Sequence, residues 1–262
     1  MGRSKGFTLV ELVMVIVILA IVATISVQFV TLSTQGALDV GNRQHRALQS
    51  VVISEQITRE IREAFPLSVR TDGTCLEWIP IVSATRYEEL PKGPDFDRIS
   101  ISPFGGDLPG GLKTIVYGYG SGQSALYDYA NPGPVSPPID PVAATDDVMT
   151  FAGSESHRFR ERSPEKRLFV VGDRLSICQS GSRLYRFSGY SHVSGQPDAG
   201  ALMASGTGVV LGANVEPGSV EFRVIPPSLQ RAAVVNLSFE LADPQSDETT
   251  IVNQEVHVRN VP

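Results

Sequence analysis

Several side chains in this sequence could take part in catalysis, but their spacing argues against it. The histidines have no metal-ligand spacing such as H-E-x-x-H, and they stand alone at His45, His157, His192 and His257. The run Gly118-Tyr-Gly120-Ser-Gly122 lacks the Lys-Ser/Thr that completes a phosphate-binding loop, so it predicts a turn. No Gly-x-Ser-x-Gly nucleophile motif occurs. The sequence therefore predicts no catalytic residue and no cofactor, and the protein is not expected to be an enzyme.

Two carboxylate pairs, Asp95 with Asp97 and Asp146 with Asp147, offer oxygen ligands to a hard cation such as calcium. Neither pair belongs to a complete calcium-loop pattern, so no metal site is predicted. His45 falls on a predicted helix. His257 alternates with apolar neighbours, which predicts that it points to solvent from an edge strand.

Glu11 is the most unusual charge in the chain. It is the only ionisable side chain between Phe7 and Val30, and every residue of Leu12–Ala23 is apolar. At about 1.5 Å per residue this stretch reaches roughly 36 Å, which is enough to cross a bilayer. An acid at membrane depth costs several kcal/mol on most scales, so its presence points to a functional role.

Basic residues before the apolar run predict how the chain sits in the membrane. Arg3 and Lys5 precede it, and the positive-inside rule then leaves the N-terminus cytoplasmic and the remainder outside. The segment Ala20-Ile-Val-Ala23 lacks the spacing of a signal-peptidase site. On residue pattern alone, a plain signal anchor remains an alternative. The expected location is the inner membrane, with a single span and a periplasmic head.

The segment Gly6-Phe7-Thr8-Leu9-Val10-Glu11 resembles the leader motif of type IV pilins and type II secretion pseudopilins. This resemblance implies that residues 1–6 are a leader peptide, that a prepilin peptidase cuts between Gly6 and Phe7, and that Phe7 becomes N-methylated. It also implies that Glu11 of one subunit pairs with the N-terminal amine of Phe7 on a neighbour. The implied partners are the major pilin, other minor pilins and the inner-membrane assembly platform.

Charge and cysteine content narrow the functional classes. Without the leader the chain holds 20 basic and 28 acidic side chains, a net charge of −8. The basic residues are not clustered, so nucleic-acid binding is not predicted. Cys75 and Cys178 both follow the span and fall on the oxidising side of the membrane, in strand-like segments. A disulfide is favoured over two free thiols, and it would close a loop of about 100 residues.

The N-terminal half of the chain predicts one long helix. No proline occurs between Phe7 and Phe65, and Pro66 stops the pattern, with Gly36 and Gly41 as weak points. An apolar face recurs every four residues, at Ile53, Ile57, Ile61 and Phe65. We expect four segments: leader 1–6, transmembrane helix 7–30, amphipathic helix 31–65 and a globular β-rich head 66–262.

Beyond Pro66, short runs with period-two alternation predict antiparallel strands. The predicted strands are Cys75–Val82, Arg98–Ser102, Thr114–Tyr119, Arg167–Val171, Arg174–Gln179, Arg183–Phe187, Val209–Asn214, Val220–Val224, Val235–Leu241 and Ile251–Arg259. Gly172-Asp173 and Ser180-Gly181-Ser182 are typical of hairpin turns. The segment Tyr129–Asp147 contains five prolines and predicts an extended surface loop. The run His157–Arg167 is rich in charge and predicts a solvated face.

The resemblance implies an α+β type IV pilin fold, in which a long N-terminal helix packs on an antiparallel sheet. The segments Ser182–Phe187 and Glu255–Asn260 make the head similar to the J-type pseudopilins and the related W-type minor pilins. The whole layout of the chain is similar to that of the MshO minor pilins of mannose-sensitive haemagglutinin (MSHA) pili. The implied role is non-enzymatic, in a tip or initiation complex of a type IV pilus. Alternatives are a J-type minor pseudopilin, a signal-anchored enzyme, and a glycan-binding tip adhesin with candidate residues Tyr117, Tyr119, Tyr127, Asp128 and Tyr129.

Overall fold

The computed structural model describes residues 6–91, 93–191, 194–205 and 207–259. It confirms the predicted α+β class, because a long apolar N-terminal helix, α1 (Leu9–Arg62), is followed by antiparallel sheets, as in the type IV pilin fold. The chain divides into two compact units, Met1–Leu48 and Gln49–Pro262. Residues 1–5 of the predicted leader, His192 and Asn260 lie outside the described residues.

The first unit contains the apolar part of α1. The helix is continuous through Gly36 and Gly41, and neither glycine has a neighbouring atom within 4 Å of an added Cβ. Apolar side chains along this part are exposed, and the helix is long and apolar enough to cross a membrane. Large exposed apolar surface on a helix is typical of a segment that lies in lipid or packs on partner helices.

The second unit, which we call the head, contains short strands and two short helices. Its strands are β1 (Arg70–Thr71), β2 (Cys75–Trp78), β3 (Ile81–Arg86), β4 (Arg98–Ser100), β5 (Lys113–Ile115), β6 (Val148–Thr150), β7 (Arg167–Val171), β8 (Leu175–Ser180), β9 (Arg183–Ser188), β10 (Thr207–Ala213), β11 (Glu221–Ile225), β12 (Val234–Ala242) and β13 (Thr249–His257). The helices are α2 (Ala125–Asp128) and α3 (Ala199–Ser205), and single 3₁₀ turns cover Pro66–Ser68 and Ala152–Ser154.

The strands form four antiparallel sheets. The largest has the order β1-β2-β8-β9-β10, and a second has the order β11-β12-β13. The other two sheets, β3-β7-β5 and β4-β6, are built from strands that all lie between β2 and β8 in the chain. His257 is exposed on β13, at the edge of its sheet within the described residues, as the alternation predicts.

The predicted apolar face of α1 forms the main core of the head. Ile53, Ile57 and Ile61 are at most 1% exposed, and burying each contributes about 1.5–3 kcal/mol. They share one cluster with side chains of the five-stranded sheet and of β11–β13, among them Leu76, Trp78, Ile177, Leu184, Phe222, Val235, Leu237 and Phe239. One helix face thus joins two sheets. An ion pair between Glu60 and Arg186 of β9, at 2.7 Å, lies beside this contact.

The helix ends at Arg62, three residues before the predicted end at Phe65. The carbonyl of Glu63 accepts a hydrogen bond from the Ile81 amide, and the Phe65 amide donates to the carbonyl of Ile79, both at 2.8 Å. Ala64 forms an isolated bridge with Pro80. The amides of Glu63 and Ala64 still donate to Glu60 and Ile61, but the carbonyl of Glu63 and the amide of Phe65 pair with the segment 79–81, so the regular helix ends before Pro66 is reached.

Residues 79–174, which we call the insert, leave and re-enter the five-stranded sheet at paired positions. Trp78 at the end of β2 is the register partner of Leu175 at the start of β8. The insert has a core of its own, whose buried side chains all lie between Tyr87 and Val170. The predicted strand Cys75–Val82 is consequently wrong: it breaks at Ile79-Pro80 into β2 and β3, which belong to different sheets.

The proline-rich segment Tyr129–Asp147 is not the surface loop that its composition predicts. Val135, Ile139 and Val142 are at most 3% exposed, and they form bridges to Ile115, Phe151 and Leu108 respectively. Prolines prevent a regular strand, yet apolar side chains between them still bury. The segment is extended, as expected, but it lines the core of the insert.

Two other local predictions have different outcomes. The turn at Gly181 joins β8 to β9 as an antiparallel hairpin, with Gly181 at a φ of 58°, so that prediction is confirmed. Gly172-Asp173 is not a hairpin turn, because β7 and β8 lie in different sheets, and the Gly172 amide donates to the carbonyl of Pro80. It is the connection by which the chain leaves the insert.

The run His157–Arg167 is solvated on one side only. His157 and Phe159 are buried at 2% and 8% exposure, whereas Arg158 and Arg160 between and after them are exposed. The segment is therefore two-sided. Charge content alone obscured this alternation.

A disulfide joins Cys75 of β2 to Cys178 of β8 across a directly paired position, with a Cα separation of 4.4 Å. Both cysteines are fully buried against Phe187, Tyr190 and Leu202. The side-chain amide of Gln196 donates to the carbonyl of Cys75 at 2.8 Å, so the segment before α3 covers the bridge.

Gly212 generates the first prediction, because β10 passes close to α1 at this position. A Cβ added to Gly212 would collide with the Cδ1 atom of Ile53. Gly212→Ala should therefore lower the free energy of unfolding of the head by about 1–3 kcal/mol, the usual cost of overpacking. Chemical denaturation measures it, and Gly105→Ala, which meets no atom within 4 Å, is the matched control. Equal stability of the two variants would contradict the observed packing.

The disulfide generates the second prediction. Cys75→Ser should destabilise the head under oxidising conditions by about 2–5 kcal/mol, because the variant frees a loop of about 100 residues in the unfolded chain and leaves a buried hydroxyl. Thermal unfolding with and without reductant measures the effect. Reductant should lower the melting temperature of the parent protein and leave that of Cys75→Ser unchanged. If reductant leaves the melting temperature of the parent protein unchanged, even after the protein has been fully unfolded and refolded in its presence, the result would count against the disulfide.

Candidate assembly site

The predicted processing site lies where α1 begins. Gly6, Phe7 and Thr8 are non-helical and exposed, and α1 starts at Leu9. The hydroxyl of Thr8 accepts a hydrogen bond from the Glu11 amide at 3.3 Å, and the carbonyl of Thr8 accepts one from Leu12 at 3.1 Å. Thr8 is therefore the N-cap of the helix, and the Gly6–Phe7 bond lies in non-helical, exposed chain just before it.

Glu11 occupies the third position of the helix, so Thr8-Leu9-Val10-Glu11 has the spacing of a capping box. The capping-box spacing is visible in the sequence but was missed, because the Glu11 charge was considered for its cost in the membrane and for pairing with another subunit. A carboxylate in the first turn is also favoured by the positive end of the helix dipole. The Glu11 backbone is satisfied by Thr8, while its side chain is exposed in the isolated chain.

Polar side chains farther along the apolar part of α1 are satisfied within the helix. The Thr24 hydroxyl donates to the Ile21 carbonyl at 2.8 Å, and the Thr31 hydroxyl donates to the Val27 carbonyl at 2.9 Å. Such back-bonding is the ordinary way in which a hydroxyl enters a lipid-facing helix, because lipid offers no partner. The apolar helix thus indicates membrane anchoring. Among the described residues of its apolar part, Glu11 is the charged residue whose presence is not explained by a local hydrogen bond to its side chain.

The head contains one buried charge cluster. Glu77 is fully buried on β2, and its carboxylate pairs with Arg70 of β1 at 2.5 Å and faces Arg174 at 3.9 Å. The Tyr190 hydroxyl donates to Glu77 at 2.9 Å, and the Arg70 guanidinium lies over the ring of Tyr127 at 3.5 Å. A buried carboxylate requires such compensation, since an unpaired one costs several kcal/mol.

The two tyrosines in this cluster stay neutral. Burial raises the pKa of Tyr190 far above its ordinary value, and the nearby Glu77 carboxylate acts in the same direction. Burial likewise raises the pKa of Tyr127 well above its ordinary value, again reinforced by Glu77. Both hydroxyls therefore remain donors, to Glu77 and to the Ser68 carbonyl. The cluster fixes the strands that carry the disulfide and shows no accessible reactive group.

The histidines that the structure describes lie on separate elements. His45 is exposed on α1, His257 is exposed on β13 beside Glu255, and His157 is buried in the insert. The Nε2 atom of His157 donates to the Gly133 carbonyl at 3.1 Å, and burial lowers its pKa. His157 is thus a structural histidine of the insert core.

The carboxylate pairs are occupied by local contacts. Asp95 accepts from the Asn131 side chain, Asp97 pairs with Arg98, and Asp146 accepts from the Ala143 amide at 2.8 Å. Within residues 6–91, 93–191, 194–205 and 207–259, no group of three or more His, Cys, Asp or Glu side chains could hold a metal ion.

The tyrosines considered for glycan binding do not form one exposed surface. Tyr127 is fully buried, so Tyr127→Ala would test packing and not an adhesive contact. Tyr117 and Tyr119 are half-buried with ring centroids 5.5 Å apart, and Tyr129 is half-buried beside Lys113. Asp128 is exposed, next to the buried Tyr127.

Comparison with known proteins agrees with the geometry of the N-terminus. Residues 1–27 match the family model of the prokaryotic N-terminal methylation motif. No curated protein and no solved structure matches the chain. The matched range contains the non-helical Gly6 and Phe7, the Thr8 cap and Glu11. The chain therefore carries a type IV pilin-like prepilin signal at residues 1–27, which supports a structural, pilin-like or pseudopilin-like subunit.

Proposed function

We propose that this protein is a minor pilin, a non-enzymatic subunit that takes part in type IV pilus biogenesis, of the MSHA type, within a tip or initiation complex. The observation that carries the proposal is the match of residues 1–27 to the methylation motif. The MSHA assignment rests on the resemblance of the whole layout of the chain, whereas the head segments Ser182–Phe187 and Glu255–Asn260 resemble J-type pseudopilins and W-type minor pilins. The same N-terminal match also supports a J-type minor pseudopilin of type II secretion, which is the second candidate.

In this proposal a prepilin peptidase cuts between Gly6 and Phe7 and the new N-terminal Phe7 is methylated. Gly6 and Phe7 are non-helical and exposed, so the bond between them is accessible to a protease. Residues 7–30 then form the membrane helix and filament spine, 31–65 the amphipathic half, and 66–262 the periplasmic head. After extraction from the membrane the subunit joins the major pilin and other minor pilins through the assembly platform.

Glu11 acts as the assembly contact. Its exposed carboxylate pairs with the Phe7 amine of a neighbouring subunit, because opposite charges attract far more strongly in lipid or a filament core than in water. The Thr8 cap already satisfies the Glu11 amide, so pairing of the side chain leaves the helix start intact. The contact both neutralises a costly charge and sets the axial register of the incoming subunit.

Processing can be tested directly on the N-terminus. Intact-mass and N-terminal peptide analysis of the protein from a host with a prepilin peptidase should give a chain that begins at N-methylated Phe7. Gly6→Val should block cleavage, because a branched side chain precedes the scissile bond, whereas the matched change Gly2→Val should be processed normally. A mature chain that still begins at Met1 in the parent protein would refute the pilin proposal.

The role of Glu11 predicts a separation of insertion from assembly. Glu11→Val should insert into the membrane at least as well as the parent, because the costly charge is gone. Its incorporation into filaments should fall roughly tenfold or more, the effect of losing about 1.4 kcal/mol of contact energy. Immunoblots of membrane and sheared filament fractions measure both, with Asp39→Asn on the same helix as control. Normal incorporation of Glu11→Val would remove the pairing role.

A further inference from the structure

The two ends of the β12–β13 hairpin carry opposite charge. Val234 pairs with His257 at one end and Ala242 pairs with Thr249 at the other, so the turn 243–248 and Arg259 lie at opposite ends of the hairpin. Nine residues of strand separate the ends by roughly 27–30 Å. Because the chain as a whole has a net charge of −6, a cationic surface at one end stands out from its background.

The basic end contains a cleft of about 520 Å³, within the usual range of ligand pockets of roughly 300–1,000 Å³. Arg62 at the end of α1, Arg167 of β7 and Arg259 after β13 line it, with Glu63 as the one carboxylate in the lining. Its floor is apolar, formed by Ala64, Ile81 and Phe169. We call this the arginine cleft. Three guanidinium groups around an apolar floor suit a carboxylate-bearing segment that also offers apolar contact.

The acidic end has the complementary composition. Five carboxylates line a surface depression there, and no basic side chain shares that lining: Glu216, Glu240, Asp243, Asp247 and Glu248. The turn itself reads Asp243-Pro-Gln-Ser-Asp-Glu248, and Pro244 at its tip is exposed. We call residues 243–248 with Glu216 the acidic turn. Its exposed carboxylates are those of Glu216 and Asp247, and the exposed Pro244 adds an apolar contact, which is the chemistry that the arginine cleft would recognise.

We propose that the arginine cleft of one head binds the acidic turn of a second copy of this chain. In this contact, carboxylates of the acidic turn pair with Arg62 and Arg259, and Pro244 packs on the apolar floor. Because the two surfaces are different and lie at opposite ends of one hairpin, a single contact uses the cleft of one copy and the acidic turn of the other. It leaves one unused surface on each copy, which can bind a further copy or the same partner reciprocally.

The contact rests on the proposed function only in its setting, because a pilin-like subunit packs beside other subunits. Association itself can be measured on purified protein without a filament. Exposed ion pairs are individually weak and are screened by salt, with a Debye length of about 10 Å at 0.1 M and about 3 Å at 1 M. The association should therefore be concentration-dependent and should weaken at least tenfold between these salt concentrations.

The test uses two half-site variants of the full chain in detergent, followed by sedimentation velocity. The first, Arg62→Gln/Arg259→Gln, removes charge from the cleft. The second, Glu216→Gln/Asp247→Asn, removes charge from the acidic turn at two exposed positions. Each variant alone should associate at least tenfold more weakly than the parent. An equimolar mixture of the two should recover a one-to-one complex, because each supplies the surface that the other lacks.

Matched controls separate this contact from general charge effects and from contacts between the apolar helices. Arg223→Gln/Arg231→Gln and Glu89→Gln/Glu155→Gln change the same net charge at exposed positions outside both surfaces, and they should associate like the parent. Melting temperatures confirm that all variants are folded. The proposal is overturned if the half-site variants associate like the parent, if the controls weaken association equally, or if mixing restores nothing. None of these results depends on whether the leader is cleaved. The filament role is therefore tested separately, by the N-terminal analysis described above.

Discussion

The pairing of β2 with β8 is the interaction on which the rest of the head depends. One face of this strand pair presents Leu76, Trp78 and Ile177 to the core under α1. The other face carries the Cys75–Cys178 disulfide and, directly beside it, the pair Glu77 and Ser176. The open end of the same pair is where the insert departs and returns. A change in register by one residue would turn every side chain of the shifted strand to the opposite face. The apolar side chains would then leave the core under α1, and the buried charge would enter it.

The sequence allows the long helix and the C-terminal sheet to be predicted because local periodicity specifies them. Ile53, Ile57 and Ile61 repeat at helical spacing, and β12 alternates over nine residues, so each pattern identifies its buried face without knowledge of its partner. The insert is different. Its boundary at Trp78 and Leu175 is defined by a pairing across almost a hundred residues, and no local pattern reports a long-range contact. For the same reason Gly172-Asp173 resembles a hairpin turn although the flanking strands belong to different sheets.

The sequence identifies the residues of the N-terminal motif, but the helix cap formed by Thr8 was not predicted from it. Glu11 was identified from the cost of a charge in an apolar run. Thr8, three residues before it, has a separate role that the structure makes visible: its hydroxyl holds the Glu11 amide and begins the helix. The backbone amide of Glu11 is thus bonded within the chain, while its side chain is exposed. The helix start therefore does not use the carboxylate that the proposed pairing with another chain requires.

The geometry of the insert also has a consequence for how the head can vary. Its two ends enter the host sheet at directly paired residues, so the length of the insert affects the host through loop closure. The entropic cost of closing a loop rises with the logarithm of its length, by only about 0.6 kcal/mol for each doubling. The insert also contributes Tyr127 and Arg174 to the buried cluster around Glu77. The head can therefore accommodate a longer or shorter insert at little entropic cost, provided that the segments carrying these two side chains keep their contacts with the host.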